Sequence, residues 1–166
     1  MGDAIDDVQD QLARVRPGID TSSAAIIGRV MTVARMVQSE SNAVLRRHEV
    51  TRADFDILSL LLRTGEPMPP TQLAVQLHTS GAGTTKRVQK LEAAGLVERT
   101  NNPTDGRGFL VTLTPKAEAV IGPALESVAE LERSLLASLS NTDRTALTDQ
   151  LRKLLASVTD ARPSVR

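Results

Sequence analysis

The hydrophobic period of the chain changes from helical to strand-like in the middle of the sequence, and this change restricts the fold more than any other feature. Apolar residues recur at intervals of three and four at Ile5, Val8, Leu12 and Val15, and the same stripe continues in residues 26–45, which is the period of a helix. They then alternate in residues 96–100 and 108–113, which is the period of a strand. Residues 101–106 between the two runs are all typical of turns. The order predicts helices followed by a β-hairpin.

The helical part is divided by residues that start or stop helices. Thr51 begins a sequence that resembles a capping box, with aspartate at its fourth position, and Gly65 ends the apolar run that follows. Pro70 can open a short helix, and Ser80 can cap another that stops before Gly95. Two short helices joined by so tight a turn predict a helix-turn-helix.

Longer amphipathic patterns flank this segment on both sides. We expect one domain over residues 1–166, mainly α with a small β-hairpin wing, which is a winged helix-turn-helix. We expect the residues from about 51 to 115 to form the central lobe of this domain. Helices are predicted in residues of about 3–48 and 115–160, and the first helix of the second range is predicted to run through Leu139. Both ranges carry apolar seams that little else in so small a domain can cover. This predicts dimerisation through the N- and C-terminal helices. The alternative is that these seams form ordinary intrachain core.

Composition excludes several classes of site. The chain has no cysteine, so it has no disulfide, no thiolate nucleophile and no cysteine-based zinc site. Lys plus Arg (20) equals Asp plus Glu (20), so only local charge can indicate a polyanionic partner. No secretory leader and no membrane-spanning run are visible, and we expect a cytoplasmic protein without membrane contact, metal or cofactor.

The helix after Ser80 carries the residues that suit a nucleic acid. On a helical wheel an apolar face of Thr84, Val88 and Leu91 opposes a polar face. Small residues beside hydroxyl, amide and ammonium groups fit the major groove of DNA, and a helix N-terminus favours a phosphate oxygen. The predicted DNA-binding residues of this segment are Ser80, Gly81, Ala82, Thr85, Lys86, Gln89 and Lys90.

The tip of the predicted hairpin adds two residues to this set. Asp105 can hold the tip through a nearby guanidinium, and Arg107 can enter an adjacent minor groove. The main alternative to a DNA-binding function is that the same fold serves as a protein-interaction module. A second alternative is a protein that binds DNA but responds to no ligand.

An enzyme is not indicated. The stretch Gly81–Lys86 lacks the G-x-x-x-x-G-K-[ST] pattern of a phosphate-binding loop, and no strand precedes it. His48 and His78 lack acidic neighbours at metal-ligand spacing, apart from Glu49, so a metal sensor is not indicated either.

Six short stretches between Thr51 and Lys116 form a pattern in their order and spacing. They are Leu73-Ala74, Thr85-Lys86-Arg87, Leu91-Glu92, Gly95-Leu96-Val97-Glu98-Arg99, Asp105-Gly106-Arg107 and Val111-Thr112-Leu113-Thr114. In this pattern the sequence resembles the MarR family of bacterial regulators. The resemblance implies a homodimer that reads a pseudo-palindromic operator in double-stranded DNA, and a repressor that a small molecule releases.

Within that family the chain is similar to the branch that responds to urate and related aromatic compounds and has an extra N-terminal helix. The resemblance implies an effector site that includes Leu12, Asp56 and Arg63. Leu12 stands where the branch has a tryptophan, which removes a stacking surface and favours a different or more apolar ligand. An ion pair between Asp56 and Arg63, or two solvated charges, is the alternative.

Overall fold

Seven helices and a two-stranded antiparallel sheet make up the part of the chain that the computed structural model describes, residues 2–103 and 108–160. This confirms the predicted mainly helical fold with one hairpin. The helices are α1 (Ala4–Val15), α2 (Ser22–Arg47), α3 (Arg52–Thr64), α4 (Pro70–Gln76), α5 (Gly81–Ala93), α6 (Pro115–Leu135) and α7 (Asn141–Asp160), and the strands are β1 (Val97–Asn101) and β2 (Phe109–Leu113).

The chain forms two compact units, residues 1–128 and residues 129–166. The first contains α1 to α5, the hairpin and most of α6, and its core is built around α3. The second contains the end of α6 and α7, which has no buried residue. The apolar residues of α3 that are buried are Phe55, Ile57, Leu58, Leu60 and Leu61.

α1 has an N-terminal cap that the sequence pattern did not reveal. Asp3 accepts hydrogen bonds from the backbone of Ile5 and Asp6, and the Asp6 carboxylate accepts one from the backbone of Asp3. Arg29 of α2 pairs with both carboxylates, at 2.8 Å between Nε and Asp3 Oδ2. Ile5 also packs against α2 at Gly28, where an added Cβ would lie 3.2 Å from its Cδ1. α1 is therefore held along α2.

α6 ends at Leu135, so the prediction of a helix through Leu139 is wrong. Ser140 explains the difference, because its hydroxyl caps α7 by accepting a hydrogen bond from Asp143 N at 3.2 Å, which requires a non-helical backbone at Ser140. Arg144 of α7 donates hydrogen bonds to the carbonyl oxygens of Leu136 and Leu139, and so ties the turn between α6 and α7 to the start of α7.

The hairpin is tied to the end of α3. β1 and β2 pair in antiparallel register from Val97 with Leu113 to Asn101 with Phe109. Met68 and Val111 exchange two backbone hydrogen bonds, of 3.1 and 2.8 Å, so the link after α3 forms an isolated antiparallel bridge with β2. Val111 is fully buried, and the base of the hairpin therefore belongs to the core.

Candidate nucleic-acid interface

The turn between α4 and α5 is held by local hydrogen bonds. His78 has a left-handed backbone conformation with φ of 52°. Thr79 N donates to the Ala74 carbonyl at 2.9 Å, and the hydroxyls of Thr79 and Thr84 are 2.8 Å apart. The Ser80 hydroxyl accepts from Gly83 N at 3.2 Å, which confirms Ser80 as the N-cap of α5. These bonds determine the angle at which α5 leaves the turn.

α5 has the two faces that the helical wheel predicts. Thr84, Val88 and Leu91 are buried and anchor the helix. Thr85 is half-buried, and its hydroxyl donates to the Gly81 carbonyl at 2.9 Å, so its oxygen remains free only as an acceptor. The polar-face residues that are exposed are Ala82, Lys86, Gln89 and Lys90.

The N-terminal turn of α5 is exposed and sterically open. A Cβ added at Gly81 would meet nothing within 4 Å, so another backbone can approach closely there. At Gly83 an added Cβ would lie 2.9 Å from the Ser80 hydroxyl and would disturb the cap. Lys86, Arg87 and Lys90 line a cavity of about 460 Å³ beside Gly83. This surface combines free backbone donors with cationic side chains.

A buried carboxylate of α3 reaches this helix. The side chain of Asp54 is only 9% exposed. Its Oδ1 accepts a hydrogen bond from Arg87 Nη1 at 3.2 Å, and its Oδ2 lies 3.8 Å from Lys90 Nζ. Only half of the predicted capping box forms, because Thr51 caps Asp54 N while the carboxylate turns to α5. No local sequence pattern marks this pair, since Asp54 and Arg87 belong to different helices.

The base of the hairpin is fastened to the end of α5. Arg99 of β1 pairs with Glu92 of α5, and its guanidinium lies 4.4 Å from the centroid of the Phe109 ring on β2. The two residues predicted at the tip, Asp105 and Arg107, lie outside the described residues.

Asp56 lines a pocket of about 230 Å³ between α3 and the turn before α5. Arg87 lines the same pocket, which the sequence reasoning missed, whereas Leu12 and Arg63 are not among its lining residues. An ion pair of Asp56 with Arg63 is one of the alternatives from the sequence, and the structure instead pairs Asp56 with Arg52, at 2.9 Å between Nε and Oδ1. The remaining lining residues are Ala53, Ile57, Leu77, Thr79, Gly83 and Thr84.

Burial raises the pKa of the Asp56 carboxyl above its ordinary value of 3.8, although Arg52 acts in the opposite direction. A raised pKa in the folded state means that the contribution of Asp56 to stability is fully present below pH 3.8 and is lost as pH rises through the folded pKa. The ionised carboxylate is therefore not optimally paired at neutral pH.

The described residues contain no group of three or more metal-ligating side chains. His48 is engaged in the fold, where its Nε2 lies 2.9 Å from the Ser127 hydroxyl. Over the same residues, no helix combines the length and the hydropathy that crossing a membrane requires.

Known proteins with similar sequences and folds are transcriptional regulators rather than enzymes. Residues 48–108 match a sequence model of the MarR family. The regulator PecS of Dickeya dadantii is 29% identical, over 86% of this chain and 87% of its own length.

Two solved structures extend the similarity to the fold. A mutant MarR of E. coli complexed with operator DNA has a TM-score of 0.70 and 26% identity, covering 87% of this chain and 97% of that one. BldR of Sulfolobus solfataricus has a TM-score of 0.69 and 28% identity, covering 82% of this chain and 96% of that one. Residues 48–108 therefore share the sequence pattern of the MarR family, and the fold of the chain is similar to that of solved transcriptional regulators.

Proposed function

We propose that the protein is a homodimeric transcriptional regulator that binds a specific pseudo-palindromic operator in double-stranded DNA. The observation that carries the proposal is the exposed face of α5, where Lys86, Gln89 and Lys90 project beside an N-terminus that is sterically open at Gly81. A helix of this kind fits the major groove, about 12 Å wide. The DNA complex of the similar E. coli MarR supports this use of the fold.

The residues of the lobe from about 51 to 115 have distinct proposed roles. Backbone donors at Ser80 and Gly81, with Ala82 beside them, hold a phosphate. Lys86 and Lys90 contact phosphates or guanine edges, and the Gln89 amide pairs with a base. Thr85 accepts a hydrogen bond from a base or bridging water. At the wing tip, Asp105 holds the turn and Arg107 enters a minor groove.

Exposed apolar side chains at both ends of the chain support the homodimer. α1 and α2 leave such residues uncovered in the first unit, and α7 does so in the second. Helices that leave a row of large apolar side chains exposed are typical of a subunit interface. The helices of about 3–48 and 115–160 are therefore the proposed dimerisation elements of one domain. The exposed residues include Val8, Leu12, Ile26, Val30 and Val33, and on α7 Leu147, Leu151, Leu155 and Val158.

The pocket at Asp56 and Arg87 supports release by a small molecule. Arg87 lines both this pocket and the cationic cavity beside Lys86, so an occupant that draws its guanidinium inward also alters the DNA-binding surface. A guanidinium selects an anion, and Ile57 and Leu77 offer apolar contact. We therefore propose a repressor that a small aromatic or other anionic ligand releases.

Lys86→Ala is expected to weaken operator binding about tenfold at 100 mM salt without unfolding the protein, because Lys86 is exposed and its ammonium neutralises a phosphate. The operator is first selected from a random duplex library, and affinity is then measured by fluorescence anisotropy between 50 and 200 mM salt. The slope of log affinity against log salt should decrease in magnitude by about 1. Lys153→Ala on α7 is the matched control. Wild-type affinity that does not change with salt would favour a protein-interaction module.

A small aromatic anion is expected to release the operator from the wild-type protein, and Arg87→Met is expected to lose binding of the ligand itself, because it removes the guanidinium from the pocket and retains an unbranched side chain. Salicylate and urate are titrated to millimolar concentration against the complex. Direct ligand binding is followed by calorimetry without DNA. Operator binding that no ligand affects would indicate a regulator without an effector.

A further inference from the structure

We propose that Asp54 is a positioning residue for DNA recognition, which fixes α5 in the orientation that reads the operator. The proposal rests on the proposed DNA binding and adds to it a residue that does not face DNA. Asp54 belongs to α3, and it contacts two consecutive turns of α5 through Arg87 and Lys90.

The burial of Asp54 makes these contacts restrictive. A carboxylate that is 9% exposed has little access to water and must be satisfied by protein groups. Asp54 has three such groups, the Thr51 hydroxyl, Arg87 Nη1 at 3.2 Å and Lys90 Nζ at 3.8 Å. Removing its charge would leave Arg87 without its anionic partner at a half-buried site.

α3 is a suitable fixed reference for such a contact. The residues that follow Asp54 in this helix include Phe55, Ile57 and Leu58, all buried in the core. α5 is otherwise held by the turn before it, by a narrow buried face of Thr84, Val88 and Leu91, and at its far end by the ion pair of Glu92 with Arg99. Apolar packing is not directional, whereas hydrogen-bonded ion pairs fix an angle. Asp54 therefore restricts rotation of α5 about its own axis.

Asp54 also reduces the positive charge that α5 presents. Its carboxylate lies close to Lys90, whose ammonium is exposed and close to the surface that faces DNA in the proposal. Loss of this charge should increase the attraction of any duplex, because that attraction depends on the number of phosphates neutralised. It should weaken operator reading, because base contacts require a defined helix orientation. Loss of the Asp54 charge should therefore raise the electrostatic attraction of any duplex and lower the preference for the operator.

The test compares Asp54→Asn with wild type on the selected operator and on a scrambled duplex of equal length. Operator affinity is expected to fall while scrambled-duplex affinity stays equal or rises, so that their ratio falls at least about tenfold, or about 1.4 kcal/mol. Asp149→Asn on α7 is the matched control, because it also removes one negative charge from an ion pair, that with Arg152. Its ratio should equal that of wild type.

A parallel loss of both affinities, or an unchanged ratio in a folded Asp54→Asn protein, would overturn the positioning role. If Asp54→Asn does not fold, as judged by circular dichroism, Arg87→Gln breaks the same contact from α5 and should also lower the ratio at least about tenfold. If the wild-type protein binds the two duplexes equally well, the proposed sequence-specific binding is wrong. The experiment therefore distinguishes failure of the proposed function from failure of the proposed role of Asp54.

Discussion

Leu151→Asp is expected to convert the homodimer to a monomer and to lower operator affinity at least about 100-fold. Leu151 is 43% exposed in the middle of the apolar face of α7, so the isolated chain tolerates a carboxylate there. A subunit interface does not, because burying an unpaired charge costs several kcal/mol. Two linked recognition helices bind a two-fold site about 10² to 10⁴ times more tightly than one. Multi-angle light scattering and anisotropy measure the two effects.

Ala156→Asp provides the control for this experiment. It introduces the same charge on the opposite face of α7, where the residues three and four positions away are all polar, and Ala156 is exposed. This variant should remain dimeric and should bind the operator as wild type does. Dimers of Leu151→Asp with wild-type mass and affinity would exclude α7 from the interface.

Leu58→Ala is expected to lower the free energy of unfolding by about 3 kcal/mol, because deletion of a buried leucine leaves a cavity that the surroundings only partly fill. Leu58 is 0% exposed and lies on α3, which forms the centre of the core. Urea denaturation followed by circular dichroism, at one fixed protein concentration, measures the change. A loss of this size is a large part of the stability of an ordinary domain.

Leu62→Ala makes the same substitution on the same helix at a residue that is 37% exposed. Much of this side chain is in water in the folded state, so its deletion should cost less than about 1 kcal/mol. Similar losses for Leu58→Ala and Leu62→Ala would contradict the assignment of α3 as the core helix with Leu62 at its margin.

Local chemistry made most of the helix boundaries predictable. Gly65 and Gly95 have φ of 68° and 70°, the left-handed conformation that a terminating glycine adopts. Ser80 caps α5 as its position before a glycine-rich stretch indicates. The faces of α5 followed from the helical period alone, because Val88 and Leu91 are the apolar residues that recur on one side.

One error concerns a contact within α3, and the other concerns a contact between elements distant in sequence. Arg63 shares a helical face with Asp56 in the pattern, but Arg52, one turn earlier in α3, is the residue that pairs with it. Arg87 lines the pocket with Asp56 because the turn before α5 places it there. Helical spacing identifies which side chains lie on one face of a helix, and it contains no information on which neighbouring element supplies the partner.

By itself the sequence determined the order of elements, the helix-turn-helix, the hairpin and the polar face of α5, because capping, turn and periodicity signals act over a few residues. Only the tertiary structure decided that Asp54 contacts Arg87 and Lys90, and that Arg87 lines both the pocket and the cationic cavity. Ion pairs between helices depend on how those helices pack. Packing is a property of the whole core, which no short segment encodes.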